Sequence, residues 1–252
     1  MALFTDGNIA ELNDLRAYES GILDLAANEG IDLGAKLSLA HREIGLEILS
    51  FLVTQGYGVA KQRGLENVIV TEPILHSEVM WTLSLIYRDA FNSQLNDRYG
   101  AKWNQYTDLA RRGLRQYFEI GIGLTASPIG KPEPPTVSVI PGPSRAASTY
   151  SVQVAACGLN GFTGALSDSL TVHCRDNASI MVQLGGVLPE RSSGWILYVG
   201  EGDSDPKRQN VTPLEENAVW TCPDSGTVQD LPSIQVQRPE FWAVQQRRLL
   251  RG

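Results

Sequence analysis

Several residue types and patterns are scarce in this 252-residue chain, and each scarcity removes a class of function. Cysteine occurs three times, at Cys157, Cys174 and Cys222. An odd number without close pairing offers neither the thiolate set of a zinc site nor the even count of a secreted disulfide scaffold, so the three read as small buried thiols on strand-like segments. Histidine also occurs three times, at His41, His76 and His173. None has a carboxylate, a cysteine or a second histidine at ligand spacing, apart from Cys174, which a strand would turn to the face opposite His173. No metal is expected. A Gly-x-Ser-x-Gly elbow, a His-Glu-x-x-His pair and a phosphate-binding loop are missing, and Gly56-x-Gly58 and Gly121-x-Gly123 are bare glycine pairs. Nucleophilic and phosphoryl chemistry lack their parts, so the expectation is a non-enzymatic protein with no catalytic residue and no cofactor.

Long apolar runs are absent as well. No stretch approaches the roughly 18 consecutive apolar residues of a membrane span, and the N-terminus lacks a basic region followed by an apolar run. The expected setting is a cytosol, without a membrane. A basic surplus is also lacking: the net charge of −7 divides into 11 basic against 16 acidic residues in 1–124, and 10 against 12 in 125–252. Neither half has the Lys/Arg excess of an autonomous duplex-DNA binder, so any contact with DNA must be local.

Proline is nearly absent from the first half, where Pro73 stands alone, and the remaining 12 of the 13 prolines follow residue 125. The expected organisation is therefore α + β and multidomain: an N-terminal helical bundle over 1–124, a semi-rigid proline-rich linker over 125–135, an immunoglobulin-like β-sandwich over 136–236 and a C-terminal tail over 237–252. In the bundle, apolar residues at 9, 12 and 15 predict a first helix from about Asn8 to Asn28, with Thr5 or Asp6 as N-cap. After the break at Gly30-Ile-Asp32, the stripe Leu33, Leu37, Ala40, Ile44, Ile48, Phe51 and Leu52 predicts a second. Residues 54–72 read as a long loop, with a short strand at Val68–Val70. A third helix is expected from Pro73 to Gly100 and a fourth from Ala101 to Ile120. In the second half, alternation predicts strands at Thr149–Ala156, Leu166–Val172, Ser179–Leu184 and Gly194–Gly200, with weaker ones near Val211 and Ala218–Thr221.

Three surfaces invite a functional reading. Glu11, Asp14, Glu19, Asp24 and Glu29 of the first helix could be imagined as a carboxylate site, but they are read as its solvated side. Arg111, Arg112 and Arg115 form the most basic patch of the first half, suited to DNA phosphates or an acidic partner; a solvated face balanced by Asp108 and Glu119 is the preferred alternative. In the tail, Phe241 and Trp242 stand beside Arg247, Arg248, Leu249 and Leu250, within a stretch (237–252) of net charge +3. Aromatic and arginine residues together have the composition of binding hot spots. Docking on another subunit and packing back on its own domain both remain open.

The pattern from Leu12-Asn-Asp-Leu-Arg-Ala-Tyr to Ile31-Asp-Leu33, then Lys36-Leu-Ser-Leu-Ala-His-Arg-Glu-Ile44, resembles the head–tail connector (adaptor) proteins of tailed bacteriophages. So does Tyr99-Gly-Ala-Lys-Trp-Asn-Gln-Tyr106 leading to Gly121-Ile-Gly-Leu124. In the second half, Tyr150-x-Val-x-Val-x-Ala156 with Asn160-Gly161, and Trp195-Ile-Leu-Tyr-Val-Gly200, resemble fibronectin type III and related immunoglobulin-like modules, although the cysteines do not follow the antibody arrangement. The first resemblance implies a virion protein of the phage neck, assembled in the host cytoplasm. It implies a homo-oligomeric ring, expected to be dodecameric, seated under the portal protein, extending the DNA channel with transient non-specific contact to duplex DNA, and meeting a downstream neck or tail protein. On that view the tail residues Phe241, Trp242, Arg247, Arg248, Leu249 and Leu250 dock on the portal. The alternative is a neck or tail accessory protein whose sandwich binds a host surface glycan or protein.

Overall fold

The computed structural model describes residues 1–57, 64–142, 146–227, 231 and 234–245. Its first half is helical: α1 (Leu12–Tyr18), α2 (Ile22–Glu29), α3 (Leu33–Thr54), α4 (Glu72–Gln94) and α5 (Asp97–Ile120). The rest is rich in strands: β1 (Ile122–Leu124), β2 (Thr136–Pro141), β3 (Ser148–Gly158), β4 (Thr163–Leu166), β5 (Leu170–Cys174), β6 (Ala178–Gln183), β7 (Ser192–Glu201), β8 (Lys207–Arg208), β9 (Val219–Thr221) and β10 (Phe241–Ala243). Two compact units result. Of the described residues, 7–126 and 239–245 make the helical unit, and 1–6 and 127–238 make the sheet unit.

The expected first helix is two. Glu11 caps α1, with Asp14 Oδ2 accepting the Glu11 N–H at 2.8 Å, whereas Thr5 and Asp6 lie in a 3-10 turn of the sheet unit. The chain leaves the helix at Glu19-Ser-Gly21 and resumes at Ile22. Gly30, at φ +65°, closes α2 in the left-handed conformation that glycine adopts without strain. Asp32 then caps α3, accepting the Ala35 N–H at 3.0 Å. The α3 stripe is as the spacing predicts, with Leu37, Ala40, Ile44, Ile48 and Leu52 all buried.

The turn between α4 and α5 falls earlier than expected. Leu95 takes a left-handed conformation (φ +50°), and Asn96 caps α5 by accepting the Arg98 N–H at 3.0 Å. Gly100 lies inside the first turns of α5, where a Cβ would approach the Phe91 ring to 3.2 Å, so it permits close helix packing and does not break the helix. Helix α4 is buried along most of its length and packs against its neighbours through Val79, Met80, Leu83 and Ile86. The strand expected at Val68–Val70 is reduced to a bridge between Val68 and Leu124.

The sheet unit contains a three-stranded antiparallel sheet, ordered β2-β6-β9, and a second sheet built on β3. Along β3, β7 pairs on one side and carries β8, while β5 and β4 occupy successive stretches of the other side. The single strand expected at 166–172 is broken at Ser167, whose hydroxyl replaces a ladder contact by accepting the Val154 N–H at 3.0 Å. Val211 lies in a bend, not a strand. Strand β2 was not foreseen; its exposure and half-exposure mark an edge, where Pro141 is tolerated. Tyr150, Val152, Ile180, Val182, Trp195 and Leu197, drawn from both sheets, share one buried cluster.

The proline-rich segment is not a free spacer. Ile129, Pro132 and Pro135 are buried, and Gln237 clamps Ile129 by accepting its N–H at 3.0 Å and donating to its carbonyl at 2.8 Å. Gly185 lets the Pro134 carbonyl pass; a Cβ there would lie 1.8 Å from that oxygen. Prolines suit a segment laid against a sheet without donating to it.

Candidate functional site

Helix α5 has two faces. One, through Tyr106, Ala110, Leu114 and Tyr117, is buried; the other carries Arg111, Arg112 and Arg115, all exposed. The three arginines border an open groove of about 680 Å³ lined also by Glu47 of α3, Trp81 of α4, and Asp108, Leu114 and Phe118 of α5. Among the described residues none of the three is in an ion pair, although Asp108 shares the groove lining with them. Elsewhere on α3, Leu46, Leu49 and Val53 recur at three- and four-residue spacing and are 68%, 38% and 49% exposed. Phe51 and Phe118 stack at 4.7 Å between centroids, joining α3 to α5, and the Trp81 indole N–H donates to Glu43. The site therefore combines guanidinium groups outside any ion pair with apolar lining from Trp81, Leu114 and Phe118.

The carboxylates of the first two helices do not form a uniform solvated side. Glu19 accepts from the Lys102 ammonium and the Tyr106 hydroxyl, and Glu29 accepts from Ser93 Oγ at 2.8 Å and Gln94 Nε2 at 2.7 Å. Burial alone would raise the Glu19 pKa, but the hydrogen bonds from Lys102 and Tyr106 and the Lys102 charge outweigh it and hold the carboxyl below its ordinary 4.5. Burial, with the Glu19 charge next, pushes Tyr87 up to about 12 and raises Tyr106 in the same direction. These groups tie α1 and α2 to α4 and α5. Glu11 and Asp24 stay exposed.

Sequence spacing missed the partner of His41. Glu78, fully buried on α4, accepts the His41 Nδ1–H at 3.0 Å, while its other oxygen accepts the N–H groups of Ile9 and Ala10 at 3.0 and 3.1 Å. The only available signal was an acidic residue inside an otherwise apolar helical run. His76 shares a hydrogen bond of 3.0 Å with Tyr18, and His173 one of 2.8 Å with Thr149. His173 is exposed and Cys174 buried, as strand alternation requires. Among the described residues no three His, Cys, Asp or Glu side chains are grouped to hold a metal ion. The three cysteines are buried and not joined in disulfides, and none of the described helices is long and apolar enough to cross a membrane.

Of the tail residues, Arg247, Arg248, Leu249 and Leu250 lie outside the described residues. Phe241 and Trp242 belong to β10, which pairs antiparallel with β1 in the register Ile122–Ala243, Gly123–Trp242 and Leu124–Phe241. The segment at 239–245 thus packs on the helical unit of its own chain. The bare glycine pair now has a reason: a Cβ on Gly121 would meet Val244 Cγ1 at 2.8 Å, and one on Gly123 would meet Pro239 Cγ at 2.7 Å. Both glycines admit the returning strand, and Trp242 keeps 47% of its surface exposed. No family model matches the chain, and no curated protein matches its sequence.

Proposed function

We propose that this chain is a structural component of a tailed-phage virion, an adaptor at the head–tail junction that forms a ring, joins the portal to the downstream neck or tail protein and extends the DNA channel. The observation that carries the reading is the resemblance of residues 12–44 and 99–124 to head–tail connector proteins. Those residues build α1, α2, most of α3, α5 and β1. The charge pattern is compatible with it, since an acidic segment with only local cations would let DNA pass without holding it. The sheet unit is, on this reading, an immunoglobulin-like β-sandwich of the fibronectin type III kind; two antiparallel sheets contributing to one apolar cluster support that assignment. Attachment to the portal falls to the exposed Trp242 and the residues that follow β10.

The test is reconstitution. The full chain, mixed with the portal protein of the same phage, is expected to co-sediment with it, and Trp242→Ala combined with removal of residues 246–252 is expected to weaken that association at least tenfold, about the loss of a hot spot. A portal that ignores the intact chain would overturn the reading. Retention of isolated chain on host cells or glycans, with no portal binding, would favour the accessory-protein alternative.

A further inference from the structure

The arginine groove asks for an occupant of particular chemistry. Its cations are three, but Glu47 and Asp108 stand in the same lining, and Trp81, Leu114 and Phe118 give it an apolar floor. A polyphosphate would meet two carboxylates and gain nothing from Trp81, Leu114 and Phe118. A helical surface with apolar side chains and a few carboxylates fits both features at once. Such a surface exists in the chain itself. Helices α1 and α2 expose Leu12, Tyr18 and Leu23, at 44%, 52% and 40%, beside the exposed Glu11 and Asp24. The charge balance points the same way: setting the three arginines aside from the 11 bases of residues 1–124 leaves 8 against 16 acids.

We infer that the groove bordered by Arg111, Arg112 and Arg115 receives the acidic, leucine-bearing α1–α2 surface of a second copy of this chain. This rests on the ring reading above and names the contact that would build the ring. Within one copy no ion pair among the described residues joins Asp24 or Glu11 to these arginines. The two surfaces are different, so the contact is heterologous: each copy offers a groove to one neighbour and helices to the other, and assembly proceeds until the ring closes. Apolar side chains on both sides supply the attraction, and the charges set which surface meets which.

The experiment uses two full-length variants. In one, Arg111→Glu, Arg112→Glu and Arg115→Glu reverse the groove; in the other, Glu11→Lys and Asp24→Lys reverse the helices. All five positions are exposed, and unchanged thermal melts would certify folding. Wild type is expected to assemble in sedimentation velocity as concentration rises. Each variant alone should assemble about tenfold or more weakly, and a mixture of the two should recover assembly with the variants alternating, because the intact groove meets the intact helices and the reversed groove meets the reversed helices, each pair opposite in charge. Wild-type assembly that both variants reproduce unchanged would overturn the contact and leave the ring standing. A wild type that stays monomeric, alone and with portal, would overturn both. Loss of duplex-DNA retention by the groove variant with assembly intact would assign the arginines to phosphate and overturn the inference.

Discussion

Each unit buries one charged side chain among its described residues, and the two are of opposite sign: Glu78 in the helical unit and Arg208 in the sheet unit. Glu78 accepts from the Ile9 and Ala10 N–H groups, which precede the first helix. Arg208 donates Nε–H to the Asn210 carbonyl at 2.7 Å and donates also to the Val211 carbonyl, in the bend after β8. Helices and strands satisfy their own main chain; irregular segments do not. The sign of the buried charge follows from what the irregular segment leaves over, donors in one unit and acceptors in the other.

The sharpest way to break this comparison is to remove the charges. Glu78→Ala strands the buried Ala10 N–H, the part-buried Ile9 N–H and the His41 N–H, and is expected to cost about 4 kcal/mol, against about 1–2 kcal/mol for Glu78→Gln, which keeps an acceptor. Urea unfolding followed by helical circular dichroism would read both. Arg208→Met should cost about 2–3 kcal/mol, read through the fluorescence of the buried Trp195, because it strands two neutral carbonyls, whereas Glu78 leaves three N–H groups behind. Equal losses in the two units would deny that the number of stranded groups sets the cost. Smaller is Gly123→Ala, whose Cβ would press on Pro239; about 1–2 kcal/mol of strain should loosen β10, measured as faster amide exchange at Phe241–Ala243.

Titration probes the helical unit from both sides of neutrality, since Glu19 and Tyr87 both belong to it. The folded pKa of Glu19 lies below its unfolded 4.5, so the unfolded state binds more protons there; its contribution to the helical unit is present above pH 4.5 and is lost as pH falls through the depressed folded value. Tyr87 has the opposite sign: its folded pKa is raised to about 12, so its contribution is whole below 10 and fades as pH rises toward 12. Glu19→Gln should flatten the acid limb of a pH–stability curve recorded on the helices. The smallest effect belongs to the groove, where Arg112→Ala should change stability by no more than about 0.5 kcal/mol because the side chain is exposed and unpaired; calorimetry would show it.

What the sequence made legible was periodic. Leu37, Ala40, Ile44, Ile48 and Leu52 announce α3 because a helix facing a core repeats its apolar residues with its own turn, and Tyr150, Val152 and Val154 announce β3 for the corresponding reason. Local exceptions were hidden. Nothing in Leu95 marks a left-handed turn, and Gly100 looked like a break because glycine serves both to end a helix and to let one pass close to an aromatic ring. Contacts distant in sequence were beyond reach: Glu78 and His41 are 37 residues apart, and neither carries the other's address. Of the candidate site, the arginines were visible as a cluster. Their lack of ion-pair partners, and the Trp81, Leu114 and Phe118 side chains that share their groove, required the helices to be assembled.

The interleaving of the two units has a kinetic consequence. Ile122 pairs with Ala243, with the body of the sheet unit between them in sequence, while residues 1–6 belong to that sheet unit. The helical bundle can collapse early from local contacts, but its last strand must cross a long chain separation to arrive. Folding of the inserted sheets shortens that separation to the distance between their entry and exit. On the ribosome, β1 would wait with an open edge until β10 emerged, and a single cut between residues 126 and 127 would deprive each fragment of a piece made by the other.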